Sequence, residues 1–153
     1  MESEAPMFEY DVCIVGTGRV GLPLGLSLME SGVNVVGVDL DEKLRDSVNN
    51  GQMPFHEPGY DKLVASKKLQ IHGSPEGIVP NSAAVIITVG TPLHNHIETD
   101  LSQIQRVLEG LSEHFRKDQL IILRSTVAPG TTAYVKKWIE RNTNFEVGKD
   151  ILL

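Results

Sequence analysis

The sequence predicts an α/β domain of the doubly wound class, in which a parallel β-sheet is covered by helices on both faces. Five short apolar runs alternate with longer amphipathic stretches along the 153 residues. The apolar runs are continuous rather than alternating, which is typical of strands buried on both faces. A glycine-rich turn follows the first run directly. We therefore expect the strand order 3-2-1-4-5, with a sixth strand beginning at the C-terminus.

The five apolar runs are the predicted strands, and the helices are predicted between them. The strands cover residues 10–16, 34–39, 69–72, 84–89 and 119–125. Helices are expected over about 19–30 and 42–50, where Gly32 and Gly51 favour a C-terminal stop. A short helix that ends near Ser66 follows an irregular connector at 52–59, whose prolines disfavour helix.

Two further helices are predicted in the second half of the chain. Asp100 is a suitable N-cap, and Gln103 is placed to complete a capping box, so we expect a helix over about 101–115. Pro129 loses no hydrogen bond in a first helical turn, so another helix is expected from there to about Arg141.

The two ends of the chain differ from the domain between them. Residues 1–9 are acidic and contain no long apolar run, so we expect a disordered N-terminal segment followed by a domain over 10–153. Residues 150–153 are predicted to begin the sixth strand. We accordingly expect this chain to be the first part of a longer protein, truncated before its other domains.

Composition excludes several classes of function. The net charge is −6 and no basic run is longer than a pair, so nucleic acid is not an expected partner. A single cysteine, Cys13, excludes an intrachain disulfide framework and favours a reducing, cytoplasmic location. No apolar stretch approaches the roughly 18 residues of a membrane span, and the N-terminus lacks the features of a signal peptide. We expect no membrane association.

The glycine turn predicts a phosphate-binding site. Gly16 permits a tight turn after the first strand, Gly18 leaves room for a pyrophosphate, and Gly21 allows close packing of the helix. The helix N-terminus offers free N–H groups and a partial positive charge. The alternative is that these glycines only form a tight strand-to-helix turn. The predicted cofactor contacts are Gly16, Thr17, Gly18, Arg19, Val20 and Gly21.

Asp39 extends the pattern to that of an NAD-binding Rossmann domain. It ends the second strand, about twenty residues beyond the glycines, where a carboxylate accepts hydrogen bonds from the adenosine ribose. Its charge would repel a 2′-phosphate, so NAD is expected in preference to NADP unless Lys43 and Arg45 compensate. The alternative role for Asp39 is to cap the next helix, and the two roles are compatible.

Several motifs occur in an order that resembles the NAD-binding domain of the UDP-glucose/GDP-mannose dehydrogenase family. Besides the glycine turn and Asp39, they are Phe55-His56-Glu57-Pro58-Gly59, Val89-Gly90-Thr91-Pro92, Asp100-Leu101-Ser102 and the run from Ser125 to Thr132. The resemblance covers nearly the whole chain. It implies oxidation of the C6 hydroxymethyl group of a nucleotide sugar to a carboxylate with two NAD, in a protein that is a homo-oligomer. It also implies NAD contacts from Gly90, Thr91, Pro92, Ser125 and Thr126.

This chain departs from the family pattern at three positions. Arg19 stands where a tyrosine is usual, Leu44 where many relatives have lysine or arginine, and Arg124 where a glutamate is common. The Arg19 side chain would either pair with the pyrophosphate or point to solvent. The resemblance also implies that the catalytic cysteine and its partners lie beyond residue 153. No catalytic residue is therefore assigned in this chain, and Cys13 is expected to be a buried hydrophobe.

Other candidate sites and functions carry less support. His94 and His96 would suit a metal, but they lie in a polar loop without further ligands, so no metal site is assigned. His56 and Glu57 would form an acid–base pair or, as we favour, a turn. The alternative functions are the cofactor domain of a 3-hydroxyacid dehydrogenase and a stand-alone nucleotide-sensing module. The choice among UDP-glucose, UDP-N-acetylmannosamine and GDP-mannose stays open, with a preference for a UDP-sugar.

Overall fold

The computed structural model describes residues 7–89 and 101–153, and it contains a five-stranded parallel sheet. The strands are β1 (Tyr10–Val15), β2 (Val35–Val38), β3 (Ile71–His72), β4 (Ser82–Ile87) and β5 (Leu120–Leu123). Their spatial order is β3-β2-β1-β4-β5. Ile14, in the central strand, is paired with Gly37 on one side and Ile86 on the other. The predicted fold class and strand order are confirmed.

Five α-helices accompany the strands in the described residues. They are α1 (Gly21–Glu30), α2 (Glu42–Asn49), α3 (Tyr60–Lys67), α4 (Ser102–Leu111) and α5 (Thr131–Asn142). The helix expected over 101–115 ends earlier, because its last turn tightens into a 3₁₀ turn at Ser112–His114. The helix expected from Pro129 begins two residues later, since Gly130 has a left-handed φ of +89°. Asp100, the predicted cap of α4, lies outside the described residues.

The sheet separates two apolar clusters, one on each face. Cys13 and Val15 of β1 pack on one face, where α4 contributes Leu108 and α5 contributes Ile139. Ile14 points to the other face. That face is covered by Leu22 and Leu26 of α1, Val48 of α2 and Val64 of α3. Because successive residues of β1 are buried on opposite faces, the strand has no polar face and its sequence is continuously apolar.

Residues at the end of the chain begin a strand beside β5, as predicted. Leu152 forms a parallel bridge with Leu120. Its N–H donates to the Gln119 carbonyl at 2.9 Å, and its carbonyl accepts from the Ile121 N–H at 2.8 Å. The sixth strand is thus represented by one bridge next to β5.

The residues before β1 contact the domain. The Arg116 guanidinium lies 4.9 Å from the centroid of the Phe8 ring, and Asn34 Nδ2 donates to the Glu9 carbonyl at 2.9 Å. Disorder was predicted for residues 1–9; Phe8 and Glu9 make these contacts instead, and residues 1–6 lie outside the described part of the chain. Within residues 7–89 and 101–153, no helix has the length and apolarity needed to cross a membrane.

Candidate dinucleotide site

The glycine turn between β1 and α1 is held by the ends of two neighbouring strands. Gly16 has a left-handed φ of +88°, a conformation that favours glycine. Its N–H donates to the Val38 carbonyl of β2 at 2.9 Å. From the other side, the Thr88 hydroxyl beyond β4 donates to the Gly16 carbonyl. The turn is therefore hydrogen-bonded to the ends of both neighbouring strands.

Gly18 and Gly21 have opposite surroundings. A Cβ atom on Gly21 would overlap the Gly16 carbonyl oxygen and lie 2.5 Å from Thr88 Oγ1. A Cβ atom on Gly18 would meet nothing within 4 Å. Gly21 is thus required for folding of the turn, whereas the space beside Gly18 is open and available to a ligand.

The N-terminus of α1 presents free donors at this turn. The helical hydrogen-bond pattern begins with the Gly18 carbonyl, which accepts from the Leu22 N–H at 3.0 Å. The N–H groups of Gly18, Arg19 and Val20 have no acceptor in the described part of the chain. Unpaired N–H groups at a helix N-terminus favour an anionic group such as a pyrophosphate.

Asp39 is bound to the same turn. Thr17, which is fully buried, donates its main-chain N–H to Asp39 Oδ2 at 2.7 Å and its hydroxyl to the same oxygen at 3.1 Å. Asp39 Oδ1 accepts from the Asp41 N–H at 2.9 Å. The cap of α2 is Asp41, which accepts from the Leu44 N–H at 3.2 Å. The alternative in which Asp39 itself caps α2 is therefore wrong.

The two cations expected near Asp39 do not pair with its carboxylate. Arg45 Nη1 instead donates to the Asp39 main-chain carbonyl at 3.0 Å. Among the described residues, no ion pair within 4.0 Å joins Asp39 to Lys43 or Arg45. The negative charge of Asp39 is thus free to act on a ligand.

A cleft of about 470 Å³ opens beyond the carboxyl ends of β1, β2 and β4. Its volume is in the range of small-molecule and cofactor sites. Gly16, Gly18 and Asp39 line the cleft, together with Arg106 and Gly110 of α4. Ligands of open α/β sheets bind at this edge.

Arg19 interacts with the connector that precedes α3. Its guanidinium lies 5.1 Å from the centroid of the Phe55 ring, a cation–π distance. Arg19 is exposed, so of the two expected alternatives its side chain faces solvent, with the guanidinium over the Phe55 ring. Pairing of Arg19 with a pyrophosphate stays a prediction. His56 and Glu57 belong to the same connector and are not among the residues that line the cleft. The Glu57 carbonyl accepts from the Tyr60 N–H at 3.2 Å, as expected of a turn before α3.

Only some of the cofactor contacts predicted after β4 and β5 lie among the described residues. The Ser125 hydroxyl donates to the Val89 carbonyl at 2.5 Å, which joins the segments that follow β4 and β5. Thr126 is the next residue in this segment. Gly90, Thr91 and Pro92 lie outside the described residues, as do His94 and His96. Within the described ranges, no group of three or more potential metal ligands occurs.

Three residues of the site were not predicted from the sequence. Thr88 and Arg106 carry no local motif that would indicate a role. Gly37 interrupts a run of valines, and such a glycine indicates close approach of another group. A Cβ atom there would lie 3.0 Å from Thr17 Cγ2, so Gly37 makes room for the threonine that binds Asp39.

The chain matches the NAD-binding domain model of the UDP-glucose/GDP-mannose dehydrogenase family over residues 10–152. It is 30% identical to the UDP-glucose 6-dehydrogenase TuaD of Bacillus subtilis, over 92% of this chain and 32% of that protein. It is 32% identical to the UDP-N-acetyl-D-mannosamine dehydrogenase of Campylobacter jejuni, over 84% of this chain and 32% of that protein.

A solved structure gives the same result. The chain is similar to GDP-mannose dehydrogenase of Pseudomonas aeruginosa, solved as a ternary complex, with a TM-score of 0.86 and 29% identity. The match covers 93% of this chain and 34% of that structure, so the chain spans about a third of the length of these relatives. The family match decides against the 3-hydroxyacid dehydrogenase alternative. The chain belongs to the UDP-glucose/GDP-mannose dehydrogenase family and constitutes its NAD-binding domain.

Proposed function

We propose that this chain supplies the NAD site of a nucleotide-sugar 6-dehydrogenase, which oxidises the C6 hydroxymethyl group of a UDP- or GDP-sugar to a carboxylate. The observation that carries the proposal is the hydrogen bond from the Thr17 N–H to Asp39 Oδ2 at 2.7 Å, which fixes a carboxylate beside the open glycine turn. The relatives named for UDP-glucose, UDP-N-acetyl-D-mannosamine and GDP-mannose support the substrate class.

The chain's own residues divide the binding of NAD between them. The N–H groups of Gly18, Arg19 and Val20 would bind the pyrophosphate. Asp39 Oδ2 already accepts two hydrogen bonds and Oδ1 accepts one. A carboxylate oxygen has two lone pairs, so Oδ1 retains capacity for a ribose hydroxyl.

The remaining proposed contacts come after β4 and β5 in the sequence. They are Gly90, Thr91, Pro92, Ser125 and Thr126, each of which follows the end of one of these two strands. When bound, NAD supplies the acceptor for a hydride from the substrate. The residues of this chain would bind and orient the cofactor.

We assign the catalytic groups to parts of the protein outside this chain. Cys13 is fully buried, and burial raises the pKa of its thiol to about 12. A protonated thiol without access to substrate is no nucleophile. We therefore propose that residues 10–153 form a domain that binds NAD without catalysis, in a cytoplasmic protein that is a homo-oligomer when complete.

The proposal is tested by isothermal titration calorimetry of the chain with NAD and NADP. We expect NAD to bind and NADP to bind at least about tenfold more weakly, because a 2′-phosphate would face the unpaired charge of Asp39. Asp39→Ala should lower the affinity for NAD by about tenfold to a hundredfold, the range for a hydrogen bond to a charged group.

Asp61→Ala is the matched control, since it removes the same charge from an exposed position on α3. It should leave the affinity for NAD unchanged. Absence of NAD binding to a chain shown to be folded by circular dichroism would contradict the proposal. Equal affinities for NAD and NADP would contradict the role of Asp39.

A further inference from the structure

We propose that Arg45 is a positioning residue that fixes the adenosine side of the cleft, a role that rests on the proposed binding of NAD. The cleft wall contains Leu40 from the loop after β2 and Pro75 from the loop after β3. Neither Leu40 nor Pro75 lies in a helix or strand. The Arg45 guanidinium contacts both loops. Among the described residues, no other cation donates a hydrogen bond to the Asp39 carbonyl.

The first contact is with the loop after β2. Arg45 lies in the first half of α2, and its Nη1 donates to the Asp39 carbonyl at 3.0 Å. That carbonyl belongs to the peptide that joins Asp39 to Leu40. Leu40 is 87% exposed, so its own side chain provides little packing to hold the loop. The hydrogen bond from Arg45 therefore supplies orientation that burial does not.

The second contact is with the loop after β3. A Cβ atom on Gly73 would lie 3.0 Å from Arg45 Cζ, 3.2 Å from Nη2 and 3.3 Å from Nε. The guanidinium thus occupies the space that a side chain at position 73 would need. Pro75 lies two residues further on, in the cleft wall. Only a residue without Cβ at position 73 permits this contact at its present distance.

An arginine suits this position for a chemical reason. Its guanidinium is planar and has five donors, so it can lie against the Gly73 backbone while it donates sideways to Asp39. The charge is directed to a main-chain carbonyl, and the Asp39 carboxylate keeps its acceptor for a ribose hydroxyl. Arg45 would therefore shape the site without touching the cofactor.

The pair Arg45 and Gly73 offers a double-mutant test. Arg45→Met keeps most of the side-chain volume and removes the donors, and Arg45→Lys keeps the charge. Gly73→Ala adds only the Cβ that would displace the guanidinium, which is the flexible end of a side chain. The affinity of each variant for NAD and for ADP-ribose, which lacks nicotinamide, is measured by calorimetry, and urea unfolding confirms that each is folded.

We expect Arg45→Met to weaken NAD and ADP-ribose equally, by about tenfold, since a hydrogen bond from a charged group is lost. Arg45→Lys should recover part of the affinity. Gly73→Ala should weaken binding by about threefold in the presence of Arg45 and have no further effect with Arg45→Met, because the two changes affect one contact.

Three results would overturn the inference while the proposed function stands. One is wild-type affinity in Arg45→Met; another is additive effects of the two substitutions. A loss for NAD without a loss for ADP-ribose would also overturn it, since the effect would then lie at the nicotinamide end. If the folded wild-type chain binds neither ligand, the proposed function fails and this inference fails with it. If Arg45→Met does not fold, the same affinities are measured for Gly73→Ala, for Arg45→Lys and for the variant that combines them.

Discussion

Thr17 donates both its main-chain N–H and its hydroxyl to a single carboxylate oxygen of Asp39, at 2.7 and 3.1 Å. The two residues are 22 positions apart, and their contact joins the glycine turn to the end of β2. Thr17 is fully buried, so these donors have no access to water. Asp39 is thus part of the folded turn as well as a proposed ligand of the ribose.

Thr17→Val should destabilise the chain by about 1 kcal/mol, because it removes one hydrogen bond while it keeps the size of the side chain. Urea denaturation monitored by circular dichroism measures the change. Thr17→Ser is the control: it keeps the hydroxyl and loses the methyl group that packs 3.0 Å from the Cβ position of Gly37. Wild-type stability in Thr17→Val would mean that the hydroxyl bond to Asp39 contributes nothing.

Gly18→Ala should preserve stability and weaken NAD binding. The added methyl group meets no protein atom within 4 Å, but it enters the cleft beside the free N–H groups of the turn. We expect a change in unfolding free energy below about 1 kcal/mol, as for substitutions that create neither a clash nor a cavity, together with at least a tenfold loss of affinity by calorimetry. Wild-type affinity in this variant would mean that the pyrophosphate does not approach Gly18.

Gly21→Ala should have the opposite effect: it should lower the stability of the fold without a direct effect on NAD binding. Its Cβ would overlap the Gly16 carbonyl oxygen, a backbone atom that cannot move without displacing the turn. We expect a loss of about 2 kcal/mol or more in unfolding free energy, as for overpacking in a rigid environment. The thermal midpoint, measured with and without NAD, separates this effect from a direct effect on binding. A stable Gly21→Ala variant would contradict the geometry of the turn.

Arg19 and Phe55 should be coupled in stability. A cation–π pair at an exposed position contributes about 0.5–1 kcal/mol. A double-mutant cycle with Arg19→Gln and Phe55→Leu, measured by urea denaturation, should give a coupling energy in that range. Arg19→Gln should change the affinity for NAD by less than about threefold, because the guanidinium lies on the Phe55 ring. A larger loss would show that the guanidinium moves to the pyrophosphate.

Cys13 should resist alkylation while the chain is folded. Its side chain is fully buried, and burial raises the pKa of the thiol to about 12. Mass spectrometry should detect no adduct with iodoacetamide at pH 8 in buffer and a complete single adduct in urea. Rapid labelling of the folded chain would show that β1 opens locally.

The same thiol has a calculable effect on stability. Its folded pKa of about 12 exceeds the ordinary value of 9.0. The unfolded thiol therefore ionises first, and stability falls as the pH rises from about 9 towards 12. Cys13→Ala should lack this contribution, which is measured as the difference between the two chains in urea denaturation across that pH range. Parallel curves for both chains would contradict the raised pKa.

The sequence was sufficient to predict the sheet, the glycine turn and the end of β2, because each of these features depends on residues that are close together in the chain. A continuous apolar run indicates a buried strand, and the spacing of Gly16, Gly18 and Gly21 is that required by one strand-to-helix turn. The sequence was not sufficient to predict where α4 ends and where α5 begins. These positions are set by a 3₁₀ turn at Ser112 and by the left-handed conformation of Gly130, both of which depend on the path of the following residues.

What the sequence by itself determined is the order of strands and helices and the family; it also predicted the place of the proposed cofactor site. Only the tertiary structure decided what the polar side chains at that site contact: Arg19 on Phe55, Arg45 on the Asp39 carbonyl and Thr88 on Gly16. The physical reason is that apolar periodicity and glycine conformation are local properties of the chain. The partner of a long charged side chain is chosen among groups that only folding brings within hydrogen-bond distance.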